Sequence, residues 1–319
     1  MPDETMKTTA VILEQPGQLV LGEVELIPPG PADVVVDIAW SGISTGTERL
    51  LWSGKMPSFP GMGYPLVPGY ESVGQIVSAG AQAEREPGEY VFVPGANCYH
   101  EVRGLFGGAA RRVVVPGSKA VPVPAQLGEQ AVLLALAATA QHAINDGLGQ
   151  LPELIVGHGV LGRLLARLTL ANGGAPPCVW ERDPERRGGA LGYTVLDPAA
   201  DDKNDYRAIY DVSGDASLLD ALIGRLAKGG EIVLAGFYSD RLSFAFPPAF
   251  MREARLRTAA EWQAADLAQV KRWSASGELT LTDLITHRQP AQAASNAYRI
   301  AFEDPSCLKM VLDWRDLAA

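Results

Sequence analysis

Sulfur is scarce in this chain. Three cysteines, Cys98, Cys178 and Cys307, lie far apart in 319 residues with no CxxC pair. Neither a disulfide framework nor a thiolate metal cluster is expected, and a reducing, cytoplasmic setting fits. Long apolar runs are also missing: the longest, AVLLALAATA at 131–140, falls well short of the roughly 20 residues a membrane helix needs. No membrane span is expected, and the polar start MPDETMKTT does not read as a signal peptide. A basic excess is absent too. The net charge of −10 argues against nucleic acid, whose binders usually carry a basic face. Aromatic residues make up only 7% of the chain, so a stretch where they crowd together carries weight.

What is present is apolar content, at 47%, enough to bury a large core, and the length favours two domains. From Thr8 to about Pro124 the chain is a series of short apolar runs broken by Gly and Pro, such as ADVVVDIAWSGIS, SVGQIVSAG and ARRVVVPGSKAVPVP. That spacing predicts an irregular β-barrel or sandwich, its first strand starting near Met6 after a short leader. LGEQAVLLALAATAQHAINDG at 127–147 is Ala- and Leu-rich and free of Pro, and predicts a helix. Beyond it strands alternate with helices: ELIV, PCVWE, YRAIYDVSG and EIVLAGF are separated by runs such as RLLARLTLA and SLLDALIGRLAKGG. Alternation of this kind means βαβ units and a parallel sheet. The expected fold class is therefore α/β plus β: a β-rich domain over 1–125, completed by about 286–319 where CLKMVLDW reads as a returning strand, and a doubly wound domain over 126–285.

Gly157, His158, Gly159, Val160, Leu161 and Gly162 spell GxGxxG directly after ELIV and directly before a helix. In that setting the first glycine permits a tight turn and the second lets the backbone approach a pyrophosphate. The third lets helix and strand pack closely, while the helix start offers free N–H groups to the anion. Glu181 ends PCVWE nineteen residues after Gly162, where a carboxylate accepts bonds from ribose hydroxyls, which favours NAD. Arg182 beside it, with Arg186 and Arg187 beyond, could instead pair with a 2′-phosphate. Ser213, after YRAIYDV, completes the expected cofactor set, and the His158 ring is expected to face solvent.

A β-rich N-terminal domain, a Rossmann domain and a return strand together resemble the medium-chain dehydrogenase/reductases, whose catalytic domain is GroES-like. Zinc-dependent members carry a Cys in a GVCGTD-like turn, a His in a GHE motif and a third ligand on the helix entering the second domain. The corresponding stretches here read GISTGTE, with only Ser44 or Thr45, and PGYESVG, with Tyr70; the third position is Ala135. No four-cysteine run stands in for the structural zinc loop. Hydroxyls and a phenol do not replace thiolate and imidazole around Zn²⁺, so no metal site is expected.

The segment SGISTGTERLLWSGKMPSFPGMGYPLVPGYESVGQ resembles more narrowly the bacteriochlorophyllide dehydrogenases of bacteriochlorophyll synthesis. The resemblance implies NAD-dependent oxidation of a 3-(1-hydroxyethyl) side chain on a tetrapyrrole to 3-acetyl. Independently, Trp40, Trp52, Met56, Phe59, Met62, Tyr64 and Tyr70 concentrate between 40 and 70. Displayed on a Pro- and Gly-rich loop they would suit a broad, flat apolar ligand; packed inward they would cap the barrel.

Without zinc, a positioned group must take the alcohol proton as hydride leaves. Tyr70 is the leading candidate, at the lost ligand's position, although a phenol's ordinary pKa of about 10 calls for nearby positive charge, from NAD⁺ or Lys55. Thr47 resembles the family's Ser/Thr proton relay, Ser44 is a lesser candidate, and His100 is the rival base. Glu71 would raise a neighbouring phenol's pKa, so an orienting role is expected of it. His142 and His287 read as packing or loop histidines. Family members commonly pair as homodimers through the Rossmann sheet edge, here near EIVLAGFYSD. Two other functions fit the same residues: a zinc-free NADPH quinone or enoyl reductase, and a non-catalytic carrier of dinucleotide and pigment.

Overall fold

The computed structural model describes residues 6–145 and 149–317. The leader expected before Met6 and the last residues of the helix expected over 127–147 lie outside them. The chain divides into two units, one running to Ala135 and resuming at Leu284, the other spanning Leu136–Asp283.

In the first unit the β-branched runs pair into two sheets. Lys7–Gln15 and Gln18–Glu25 form an antiparallel hairpin, extended by the short strands Leu66–Val67 and Arg103–Gly104. The second sheet is built on Asp33–Ile43, which pairs antiparallel with Ser72–Ala79, Arg112–Pro116 and Met310–Asp313. Val34, Val35, Val36 and Ile38 along this strand are all buried, as a continuous apolar run requires where both faces of a strand are covered. The C-terminal run CLKMVLDW supplies Met310–Asp313, registered Met310 to Ile43. It thereby lays Lys309 against the end of Asp33–Ile43, where the site begins.

The second unit is a parallel sheet in the order Thr194–Leu196, Cys178–Trp180, Leu154–Val156, Tyr206–Asp211, Leu226–Leu234, Arg255–Thr258. Leu154 and Ile155 on its central strand are fully buried, as expected where helices cover both faces. Helix Val160–Ala171 follows the central strand directly.

Three expectations are corrected. The 127–147 segment is not one helix: Gly128, at φ 51 and ψ −130, interrupts it, leaving a 3₁₀ stretch over Ala125–Leu133 before the α-helix Leu134–Asn145. The 40–70 region is not all loop, because TERLLWS folds as helix Thr47–Ser53, stopped by left-handed Gly54 at φ 69. EIVLAGFYSD does not lie at the sheet edge; Arg255–Thr258 pairs outside it, since the chain after Gly236 loops back through helix Phe246–Arg252 to add one more parallel strand.

Candidate functional site

In the first unit, the end of strand Asp33–Ile43 and the turn before strand Ser72–Ala79 bring Ser44 and Tyr70 together. Their hydroxyls lie 2.7 Å apart. The phenol also hydrogen-bonds Thr47, at the start of the short helix, and its ring meets Phe106 edge-on at 5.3 Å. The half-buried Tyr70 phenol is pushed well above its ordinary pKa, first by burial and then by the Glu71 charge. The Ser44 and Thr47 hydrogen bonds pull the other way.

Behind these hydroxyls lie buried charges. Glu71 pairs with Lys309, whose Nζ donates to the two carboxylate oxygens at 3.0 and 2.7 Å and to the Ile43 carbonyl at 3.1 Å. This packing requires a glycine at position 42, where a Cβ would stand 2.2 Å from Glu71 Oε2. Glu48, fully buried, accepts the Ser44 N–H at 3.1 Å and the Tyr298 hydroxyl at 2.5 Å. Burial raises its pKa to about 7.

The expected catalytic residues therefore separate. Ser44, Thr47 and Tyr70 meet, with Glu71 buried behind them, whereas His100 is exposed and its side chain makes none of these bonds. Lys55 is exposed as well and is not among the charges acting on the phenol. Sequence reasoning missed Glu48, Lys309 and Tyr298. Lys309 had a signal, a lone lysine inside the apolar run CLKMVLDW, which demands a buried partner. Tyr298, 250 residues from Glu48, had none.

The crowded aromatics mostly turn inward. Trp52, Met56, Met62 and Tyr64 pack on Leu13, Leu51 and Leu66, and the Tyr64 hydroxyl donates to the Leu51 carbonyl. Phe59 and Phe106 stay exposed, at 38% each.

The donor set does not fit a zinc ion. Where family members place thiolate and imidazole stand two hydroxyls already hydrogen-bonded to each other, and Ala135 offers no donor. Burial raises the Cys98 thiol to about 11, away from the thiolate form that binds metal. Among the described residues no group of three or more His, Cys, Asp or Glu is gathered as a metal cluster.

In the second unit the glycine turn takes the form its residues dictate. Gly157 has φ +104, and a Cβ on Gly162 would stand 1.9 Å from the Gly157 carbonyl, so both positions demand glycine. Gly159 is the N-cap of helix Val160–Ala171, leaving the N–H groups of Val160 and Leu161 at the helix start. Ser213 lies beside the turn, its N and Cα 3.5 Å from where a Gly157 Cβ would be. Glu181 accepts the His158 N–H at 3.2 Å and the Asp183 N–H at 3.0 Å, which fixes the carboxylate next to the turn. Arg182 is exposed and pairs loosely with Asp215 at 3.4 Å.

His158 corrects the expectation of a solvent-facing ring: it is fully buried, with Nδ1 2.7 Å from the Arg186 carbonyl and Nε2 2.9 Å from the Tyr193 hydroxyl. Burial lowers its pKa to about 4. Of the remaining histidines, His142 pairs with Asp266 at 2.9 Å and His287 is partly exposed. Among the described residues no helix is long and apolar enough to cross a membrane.

Comparison with known proteins agrees with this architecture. Residues 30–125 match the alcohol dehydrogenase GroES-like domain. The chain is 59% identical to the 2-desacetyl-2-hydroxyethyl bacteriochlorophyllide A dehydrogenase of Rhodobacter capsulatus, over 98% of this chain and 99% of that one. It is 57% identical to the protein of the same name from Cereibacter sphaeroides, over 98% of this chain and 100% of that one. Among solved structures, L-idonate 5-dehydrogenase from Escherichia coli superposes with a TM-score of 0.84 at 20% identity, covering 97% of this chain and 99% of the other. That likeness establishes the shared GroES-like and Rossmann fold. Dehydrogenases of this kind use a nicotinamide dinucleotide, and the turn from Gly157 to Gly162 fits one. With near-complete coverage at such identity, the chain belongs to the family of the bacteriochlorophyllide A dehydrogenases, within the medium-chain dehydrogenase/reductases.

Proposed function

We propose that this protein is a zinc-independent, NAD-dependent secondary alcohol dehydrogenase that oxidises the 3-(1-hydroxyethyl) group of a bacteriochlorophyllide to 3-acetyl. The substrate is inferred from the names of the relatives. The observation that carries the chemistry is the Ser44–Tyr70 hydroxyl pair, joined by Thr47, at the positions of the missing metal ligands.

In the oxidation the alcohol O–H and the carbinol C–H both break as the C=O forms. A bound nicotinamide would accept the hydride and its electron pair. The chain's own residues must handle the proton. Tyr70, raised above its ordinary pKa, stays a phenol at neutral pH and does not act as a standing phenolate. It holds the alcohol oxygen by hydrogen bonding and takes the proton only as it passes its own to Ser44 or Thr47. Thr47, partly exposed at the start of its helix, is the outward end of this relay and releases its own proton to water as it receives one. Glu71, ion-paired with Lys309, orients the Tyr70 turn. Removal of water from such a cluster strengthens its hydrogen bonds.

Glu181, set beside the glycine turn, supports NAD through the ribose hydroxyls. The sheet edge Arg255–Thr258, flanked by exposed Phe246, Phe250 and Met251 at 67%, 64% and 72%, supports a homodimer. A cytoplasmic location accords with the free cysteines.

The test is to give chelator-treated protein NAD⁺ and 3-(1-hydroxyethyl)bacteriochlorophyllide. NADH absorbance should grow together with a shift of the pigment's red band. A bound-pigment spectrum without NADH would replace the enzyme with a carrier, and turnover with NADPH and a quinone or enone would replace it with a reductase.

A further inference from the structure

Around the glycine turn, Arg163 and Arg187 are held by protein acceptors, Arg182 pairs loosely, and Arg186 has no partner among the described residues. Arg163, buried, donates to the carbonyls of His158, Arg186 and Gly188 at 3.1, 3.1 and 2.8 Å. Arg187 donates to the Glu181 and Arg182 carbonyls at 2.8 and 2.7 Å and to the Asp197 carboxylate. Arg182 reaches Asp215. The half-buried Arg186 guanidinium makes no hydrogen bond or ion pair among the described residues. A guanidinium with no protein acceptor is left available to a ligand, and its planar fork suits a phosphate.

The Arg186 backbone, by contrast, is held twice. The His158 Nδ1–H donates to its carbonyl at 2.7 Å, and Arg163 Nη2 donates to the same oxygen at 3.1 Å. A carbonyl only accepts, so Nδ1 carries the proton and Nε2 accepts from the Tyr193 hydroxyl at 2.9 Å. With a pKa lowered to about 4, this neutral tautomer persists at neutral pH. The held carbonyl sets where the side chain stands: a Cβ built on Gly159 would lie 3.4 Å from Arg186 Nη2. Gly159 is the N-cap of helix Val160–Ala171, the point at which the backbone opens to a phosphate.

We infer that Arg186 is a phosphate-binding residue of the dinucleotide site, with His158 and Arg163 as its positioning residues; this rests on reading Gly157–Gly162 as that site. The phosphate is either the bridging pyrophosphate or an adenosine 2′-phosphate. Both present the same oxyanion to the guanidinium, and the experiment separates them.

Calorimetric titration of the full chain with adenosine, ADP-ribose and adenosine 2′,5′-bisphosphate tests the inference without turnover. Arg186→Gln should fold as the parent does, because the side chain makes no hydrogen bond or ion pair among the described residues. It should bind ADP-ribose about 10-fold or more weakly, with adenosine unchanged and Arg186→Lys intermediate. His158→Phe should reproduce part of the loss and raise KM for NAD⁺ more than it lowers kcat, a split that general destabilisation would not give. A loss confined to the 2′,5′-bisphosphate would keep Arg186 as a phosphate residue but assign it to NADP. Equal affinity of Arg186→Gln and parent for both phosphorylated probes would overturn the inference. A parent that binds none of the three probes would remove the dinucleotide reading, and the inference with it.

Discussion

Lys309 Nζ lies between the two carboxylate oxygens of Glu71, at 3.0 and 2.7 Å, and the side chains are 2% and 0% exposed. The two residues are 238 positions apart, and the ion pair ties the C-terminal return strand to the turn that presents Tyr70. Lys309 also donates to the Ile43 carbonyl, the residue before Ser44. One buried cation therefore braces both sides of the Ser44–Tyr70 pair.

Breaking this pair from one side should be expensive. Lys309→Met leaves the Glu71 carboxylate buried without its cation, which typically costs about 3–5 kcal/mol. Denaturant unfolding monitored by Trp fluorescence would measure it. A loss under about 1 kcal/mol, the size of an exposed pair, would mean that water reaches the carboxylate.

Glu48 should make stability depend on pH. Its folded pKa, about 7 against an ordinary 4.5, means that the folded protein holds this proton more tightly than the unfolded chain. The contribution is fully present below the unfolded value and is lost as pH rises through about 7. The expected span is on the order of 3 kcal/mol. Glu48→Gln removes the titration, so its stability relative to the parent should climb between about pH 4.5 and 7. A pH-independent difference would refute the assignment.

Tyr70→Phe deletes the hydroxyl that meets Ser44 and Thr47. Turnover should fall about 10²- to 10⁴-fold, the range of general acid–base catalysis, with pigment binding largely kept. Ser44→Ala and Thr47→Val should each cost less, since either hydroxyl can still receive the proton. Unchanged turnover in Tyr70→Phe would move the proton-handling role elsewhere, His100 first.

Metal removal should leave turnover unaltered. Extensive dialysis against chelator, with zinc content followed by elemental analysis, should give full activity at far below one zinc per chain. Activity that falls with chelation and returns with added zinc would contradict a hydroxyl-based site.

Glu181→Ala should weaken NAD⁺ binding about 10-fold and narrow its margin over NADP⁺. Part of the loss should come from the His158 and Asp183 N–H groups that the carboxylate now accepts. Comparing affinities for the two dinucleotides separates these effects: loss of ribose recognition changes their ratio, while loosening of the turn lowers both.

Local chemistry was legible from the chain alone. GxGxxG between ELIV and a helix pointed to a phosphate-binding turn, and Gly157 and Gly162 answer local demands of backbone angle and close packing. VVVDI and its companions declared strands as short apolar runs bounded by Gly and Pro. The replacement of thiolate and imidazole by Ser44 and Tyr70 was equally plain, since it depends on side-chain identity and not on position in space. Tertiary structure decided what those residues touch. Gly128 broke a helix that composition favoured, and the His158 ring went inward because Arg186 and Tyr193, far along the chain, offered it partners. The buried polar groups behind Tyr70 come from Glu48, Glu71, Tyr298 and Lys309, which meet only when the return strand joins the first sheet. Burial and pairing shift a pKa or orient a hydroxyl through space, and spacing along the chain carries almost none of that information.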